Sequence, residues 1–307
     1  MINSIAFLIG ATLMYSTPIL FTALGGLISE KSGIVNIGLE GMMVAGAFSA
    51  AAVTTITGNP WFGLMAGSLT SGTIAFVHGL LSVYLGANQI VSGVAINFLG
   101  PAISLFMCKQ LFNGSTNTPT IDTSEKLPKL FANIFTEGSF LDFVFHQDIT
   151  VYLALFLVLV IGVFLNKTII GLRIKSVGEH PKASETLGIN VYHLRVMAST
   201  ISGAIVGIGG ASMSIALSSH FSPTLIAGQG FIALAAVIFG KWKVTGVLNA
   251  CLLFGFTQSL VIFIGGTDLE FPSKILSMLP YFVTIITLII FKSKSSAPKA
   301  LGIPYER

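Results

Sequence analysis

Apolar runs long enough to cross a lipid bilayer recur along the whole chain, and they leave few folds open. They cover residues 5–27, 37–56, 62–85, 90–111, 150–165, 196–217, 228–240, 244–265 and 274–291. Crossing the hydrocarbon core takes about 20 apolar residues in a helix, which satisfies its own N–H and C=O groups where water cannot. The expected fold class is therefore all-α, a polytopic transmembrane helical bundle of about nine spans, give or take one. The run 228–240 is short and suits a half-inserted or re-entrant helix. Charge agrees with lipid as the main solvent: 9% of the 307 residues are charged, against roughly 25% in a soluble domain. Residues 1–27 have no basic n-region and no A-x-A-like cleavage site, so they read as a retained first span.

The net charge of +4 follows the loops and is not interleaved with aromatics, so its expected use is topology and not a nucleic-acid partner. The stretch 166–195 carries Lys167, Arg173, Lys175, Lys182 and Arg195 and is placed in the cytoplasm. Counting spans outward puts Lys31, Lys241, Lys243, Lys292, Lys294, Lys299 and Arg307 on the same side. Lys109, Lys126, Lys129 and Lys274 fall outside. Loop 112–148, with Asp122, Glu125, Glu137, Asp142 and Asp148, becomes external. The N-terminus is then external and the C-terminus cytoplasmic, with residues 1–307 forming one transmembrane domain.

Small residues recur every four positions at Gly41, Ala45 and Ser49, at Gly63, Gly67 and Ser71, and at Gly203, Gly207 and Ala211. At that spacing they line one helix face and let backbones approach closely. A faint internal echo pairs Gly25, Gly26, Gly38 and Gly41 with Gly209, Gly210, Gly228 and Gly230, and their opposite expected sidedness suits an inverted repeat.

Two polar interruptions are candidates for a solute path. In the first, Asn36 and Glu40 stand among Gly33, Gly38 and Gly41. Freed backbone groups at membrane depth survive only where protein or a cavity surrounds them, and a carboxylate there is costly and often functional. Glu40 equally suits a helix start, where its charge favours the dipole. In the second, GANQIVSGVAIN (86–97), the amides of Asn88, Gln89 and Asn97 could bond a neutral polar solute, or could be interhelical glue.

Catalytic and metal-binding chemistry is not expected. Cys108 and Cys251 lie in apolar runs without ligand spacing, the histidines are scattered, and His78 reads as a hydrogen-bonded packing residue. No G-x-x-x-x-G-K-[ST] loop or G-x-S-x-G elbow is present.

A third stretch, GLRIKSVGEHPKASETLGI (171–189), places Pro181 at a helix start and Gly188 at a helix end. It reads either as a solvated loop or as a short amphipathic helix that shows Glu179, Lys182 and Glu185 to the cytoplasm. This stretch resembles the cytoplasmic coupling segment of ABC importer permeases of the ribose/branched-chain amino acid superfamily, in its nucleoside, basic-membrane-protein-linked branch. GGLISEKSGIVNIGLEG (25–41) and GQGFIALAAVIFGKWK (228–243) carry the same likeness, which runs from about Pro18 to Phe256.

The resemblance implies a bacterial cytoplasmic-membrane permease that imports a small neutral polar solute. Nucleosides come first, simple sugars such as ribose second, and ion-coupled secondary transport is the remaining alternative. It also implies a second paralogous permease, ABC ATPase subunits that carry ATP and Mg, and an extracytoplasmic solute-binding lipoprotein, with no cofactor on this chain. Gly178, Glu179, Pro181, Lys182, Ala183, Glu185 and Gly188 would then seat in an ATPase groove.

Overall fold

The computed structural model describes residues 2–131, 134–136, 139–266, 276, 278–290 and 297–305. Among them are twelve α-helices and no strand. In chain order they are α1 (Ile2–Lys31), α2 (Leu39–Thr57), α3 (Pro60–Val83), α4 (Gln89–Leu111), α5 (Phe140–Phe145) and α6 (Ile149–Lys167). There follow α7 (Ile169–Glu179), α8 (Pro181–Thr186), α9 (Val191–Ala211), α10 (Gln229–Phe239), α11 (Val244–Gly265) and α12 (Leu279–Ile290).

Seven helices are long and apolar enough to cross a membrane: α1, α2, α3, α4, α6, α11, and α9 with its π-helical extension Ser212–Leu217. Against the expectation of about nine crossings, seven described helices reach membrane length, and the runs 228–240 and 274–291 form only shorter helices among the described residues. At 11 residues, α10 reaches only about 16 Å, well short of the roughly 30 Å core. The last run, 274–291, coincides with α12 over 279–290, but 274, 275, 277 and 291 lie outside the described residues. So do Lys292, Lys294, Arg307 and Glu137. One boundary is corrected. The first helix does not stop near residue 27 but continues through Glu30 to Lys31, whose charge suits a helix C-terminus.

The small-residue stripes are where helices touch. A Cβ on Gly207 would sit 2.1 Å from the carbonyl oxygen of Gly67, and one on Gly203 would sit 2.5 Å from that of Ser71. Only hydrogen at these positions lets α3 and α9 lie backbone to backbone. Gly41 and Gly100 bring α2 and α4 together in the same way. The resulting centre is α1, α2 and α9, with Phe21, Leu24, Met42, Met43 and Val206 fully enclosed. Toward the outside, α4 and α6 turn large apolar side chains such as Phe98, Phe106, Phe156 and Leu159 away from the protein, as helices facing lipid do.

Described residues of segment 112–148 pack on the bundle. Ile121 and Leu127 are buried, and Ile121 N donates to Ser219 O at 2.8 Å while Phe221 N donates to Thr118 Oγ1 at 2.9 Å.

Candidate functional site

The chain between α1 and α2 is not helical, so its backbone groups need partners from elsewhere in the protein. The two polar interruptions supply them. Val35 N donates to Gln89 Oε1 (2.7 Å), and Val35 O lies 3.2 Å from His78 Nε2. A carbonyl only accepts, so Nε2 carries the proton and, in the neutral ring, Nδ1 accepts from Ser92 Oγ at 2.9 Å. Asn36 folds back on its own turn, accepting from Gly38 N at 3.1 Å. Asn97 bridges the end of the break: its Nδ2 donates to Ile37 O (3.0 Å) and its Oδ1 accepts from Gly41 N (2.9 Å).

Glu40 joins this break to a second one. Its two carboxylate oxygens accept from Gly228 N and Gly230 N, each at 2.7 Å. Those N–H groups belong to the unpartnered start of α10, where a negative charge also favours the helix dipole. Gly230 is required for the approach, because a Cβ there would sit 2.5 Å from Glu40 Cα. The interrupted starts of α2 and α10 are therefore tied to each other.

Of the five path candidates, Asn36, Glu40, Gln89 and Asn97 gather around the break. Asn88 stands apart as the N-cap of α4, accepting from Ile90 N at 2.9 Å and Val91 N at 3.3 Å. Gln89 is 3% exposed and keeps its Nε2 without a hydrogen-bond partner among the described residues.

At one end of the bundle, α7 and α8 lie outside the long helices. Pro181 takes the first turn of α8, and Gly188 follows it at φ +80, a left-handed conformation that glycine adopts at little cost. The helical reading of 171–189 holds and the loop reading does not. Its outward face differs from the sequence expectation. Lys182, Ala183 and Gly188 are exposed, whereas Glu179 and Glu185 are half-buried and engaged by the C-terminal tail. Lys299 N donates to Glu179 Oε2 at 3.4 Å, and Tyr305 Oη donates to Glu185. The most prominent side chain on the segment is apolar: Leu187 is 79% exposed.

Two further contacts fix this end, and residue patterns gave no sign of either. Arg195, counted in the sequence only as a topological charge, is 1% exposed. Its Nε donates to Ser32 O (3.2 Å) and its Nη1 to Ile303 O (3.1 Å), and its guanidinium lies 6.0 Å from the Tyr305 ring centre. One cation thereby joins the helix break, α9 and the tail. Glu30 accepts from the indole N–H of Trp242, which links the end of α1 to the α10–α11 turn. The tail also reaches α7 directly, with Ala300 N donating to Gly178 O at 2.9 Å.

Comparison with known proteins fits this arrangement. Residues 8–290 match the family described as the branched-chain amino acid transport system / permease component. The chain is 39% identical to the nucleoside ABC transporter permease protein NupC of Lactococcus lactis, over 99% of this chain and 98% of that protein. It is 40% identical to the guanosine ABC transporter permease protein NupQ of Bacillus subtilis, again over 99% and 98%. Identity to the putative glucose ABC transporter permease protein TsgC13 of Haloferax volcanii is 35%, over 82% of this chain and 76% of that protein. No solved structure matches. A bundle of membrane-length helices with an interrupted centre and a peripheral helix pair, similar end to end to transporter permeases, belongs to the branched-chain amino acid transport system permease family, a transport and not a catalytic component.

Proposed function

We propose that this ABC-transporter permease imports nucleosides. The reading rests on identity of about 40% over nearly the whole chain to two permeases named for nucleosides and guanosine. Simple sugars are the second reading, supported by the lower and less complete similarity to a putative glucose permease. The polar break suits both, since its side chains are neutral amides and a carboxylate whose two oxygens are already bonded.

In this proposal the solute passes beside the break at 32–38. Asn36, Glu40 and Asn97 hold its backbone open, Asn88 fixes the start of α4, and Gln89 contributes its spare Nε2 donor to the solute. The end carrying α7, α8 and the tail faces the cytoplasm, and loop 112–148 faces outward, where it meets a solute-binding lipoprotein. ATP and Mg sit on separate ATPase subunits, and a second permease completes the path. Residues 178–189 transmit the ATPase movement. Leu187 and Ala183 are the apolar contacts, Lys182 the charged one, and Gly178, Glu179, Pro181, Glu185 and Gly188 shape and hold the segment.

Competition uptake tests the substrate. Labelled guanosine accumulation by cells carrying the whole transporter is expected to be suppressed by unlabelled adenosine or guanosine and unaffected by ribose or glucose. Suppression by the sugars alone contradicts the nucleoside reading.

A further inference from the structure

The end of the bundle that bears α7 holds a pocket of about 600 Å³, which begins at the last residue before the helix break. One wall is apolar, formed by Val158, Leu159, Gly162 and Val163 of α6 with Val244 of α11. The rim is basic and drawn from three elements: Lys31 of α1, Lys175 of α7 and Lys243 before α11. All three lysines line this one pocket, so their positive charges share it. Glu179 attracts Lys31, but its Oε2 accepts from the tail, and Glu30 is bonded to Trp242. Among the described residues none of the three lysines makes an ion pair within 4.0 Å. Lys175 donates to Asn166 Oδ1 at 2.6 Å and retains donors to spare.

The backbone is bent to build this rim. Lys241 and Trp242 are consecutive at φ 52 and φ 53, the left-handed region that L side chains avoid. Local strain of this kind persists where the surroundings enforce it. The buried Trp242–Glu30 bond holds the indole at this bend, one residue before Lys243.

We propose that this pocket binds an anionic phospholipid, its phosphate among Lys31, Lys175 and Lys243 and an acyl chain along α6. Basic pockets between membrane helices are suited to such headgroups. The pocket's α6 wall includes Leu159 and Val163, 68% and 57% exposed, apolar side chains of a membrane-length helix that suit contact with lipid. A free phosphate would leave that apolar wall unused. Beside it, α7 exposes Ile169, Ile170 and Leu172 next to Arg173, the pattern of a helix lying in the interface. A phosphate held there cross-links α1, α7 and the α10–α11 turn, and so steadies the segment proposed to couple to the ATPase.

The test is native mass spectrometry of the full-length chain, delipidated in detergent and offered phosphatidylglycerol, phosphatidylcholine or glycerol phosphate. One phosphatidylglycerol per chain should be retained at least several-fold more than phosphatidylcholine, without competition from glycerol phosphate. The Lys31→Gln, Lys175→Gln, Lys243→Gln triple variant should lose that preference, the triple Arg variant should keep it, and Lys109→Gln at the opposite end should keep it. A photoactivatable phosphatidylglycerol should label α6 or α11 of the natural chain, a readout that does not depend on any variant folding. Equal retention of both lipids, an unchanged preference in the Gln variant, equal competition by glycerol phosphate, or labelling confined to other helices would each overturn the proposal. Loss of ATPase binding in the Gln variant with lipid preference intact would make the rim a protein contact and overturn it too. None of these readouts depends on which solute is transported.

Discussion

At the scale of single residues, Glu40 does more than its position suggested, since it closes two orphaned N–H groups across 190 residues of chain. Glu40→Ala should cost roughly 1–3 kcal/mol for each N–H left without a partner, read as a lower midpoint of thermal unfolding in detergent. Glu40→Gln should fall between it and the natural chain, because the amide keeps one good acceptor. An unchanged midpoint for the Ala variant would remove the capping role. Gln89→Glu preserves the acceptor used by Val35 N and deletes the spare donor. Guanosine uptake should fall by about two- to tenfold, the worth of one hydrogen bond, with the protein still present in the membrane. The sequence made Asn36, Glu40, Gln89 and Asn97 visible as polar groups in apolar surroundings. It left open whether they were path or glue, because the answer depends on which backbone groups the break leaves bare. Arg195 was less legible still. Near a loop a basic residue reads as a topology signal, and only the return of the tail across that end buries it.

Among the elements, the long helices were readable because an apolar run of membrane length has one outcome in lipid, and the glycine and serine stripes told which faces would touch. Helix ends were less readable. Glu30 and Lys31 look like a polar interruption, yet α1 carries both, since Glu30 finds the Trp242 indole and Lys31 lies at a dipole end. The half-length α10 follows from its short run, but its attachment to Glu40 does not. The outward face of 171–189 departs from expectation for a similar reason: Glu179 and Glu185 read as solvent-directed until the tail is placed over them. Removing residues 298–307 takes away the bonds to Gly178, Glu179, Glu185 and Arg195. Amide hydrogen exchange across 171–189 should then quicken by an order of magnitude or more, since about 1.4 kcal/mol of lost protection is tenfold. Exchange as slow as in the full chain would show that α7 and α8 are held by the core alone.

For the whole molecule, the proposed importer gives this chain a passive part: a bundle with a pinned, interrupted centre, to be moved from outside through α7 and α8. The fold offers such a movement a short route. Gly178 packs against the carbonyl of Lys31, where a Cβ would sit 2.2 Å away, so a displaced α7 would press on the end of α1, next to the break. The most direct test of that claim is copurification of the tagged chain with its ATPase, the natural sequence beside Leu187→Asp. Leu187 is exposed enough that the variant should fold normally. The account predicts that the ATPase comes down with the natural chain and is lost, or weakened at least tenfold, with the variant, while the second permease stays bound to both. Equal recovery of the ATPase with both chains would contradict the placement of the coupling contact, and recovery with neither would contradict the division of labour itself.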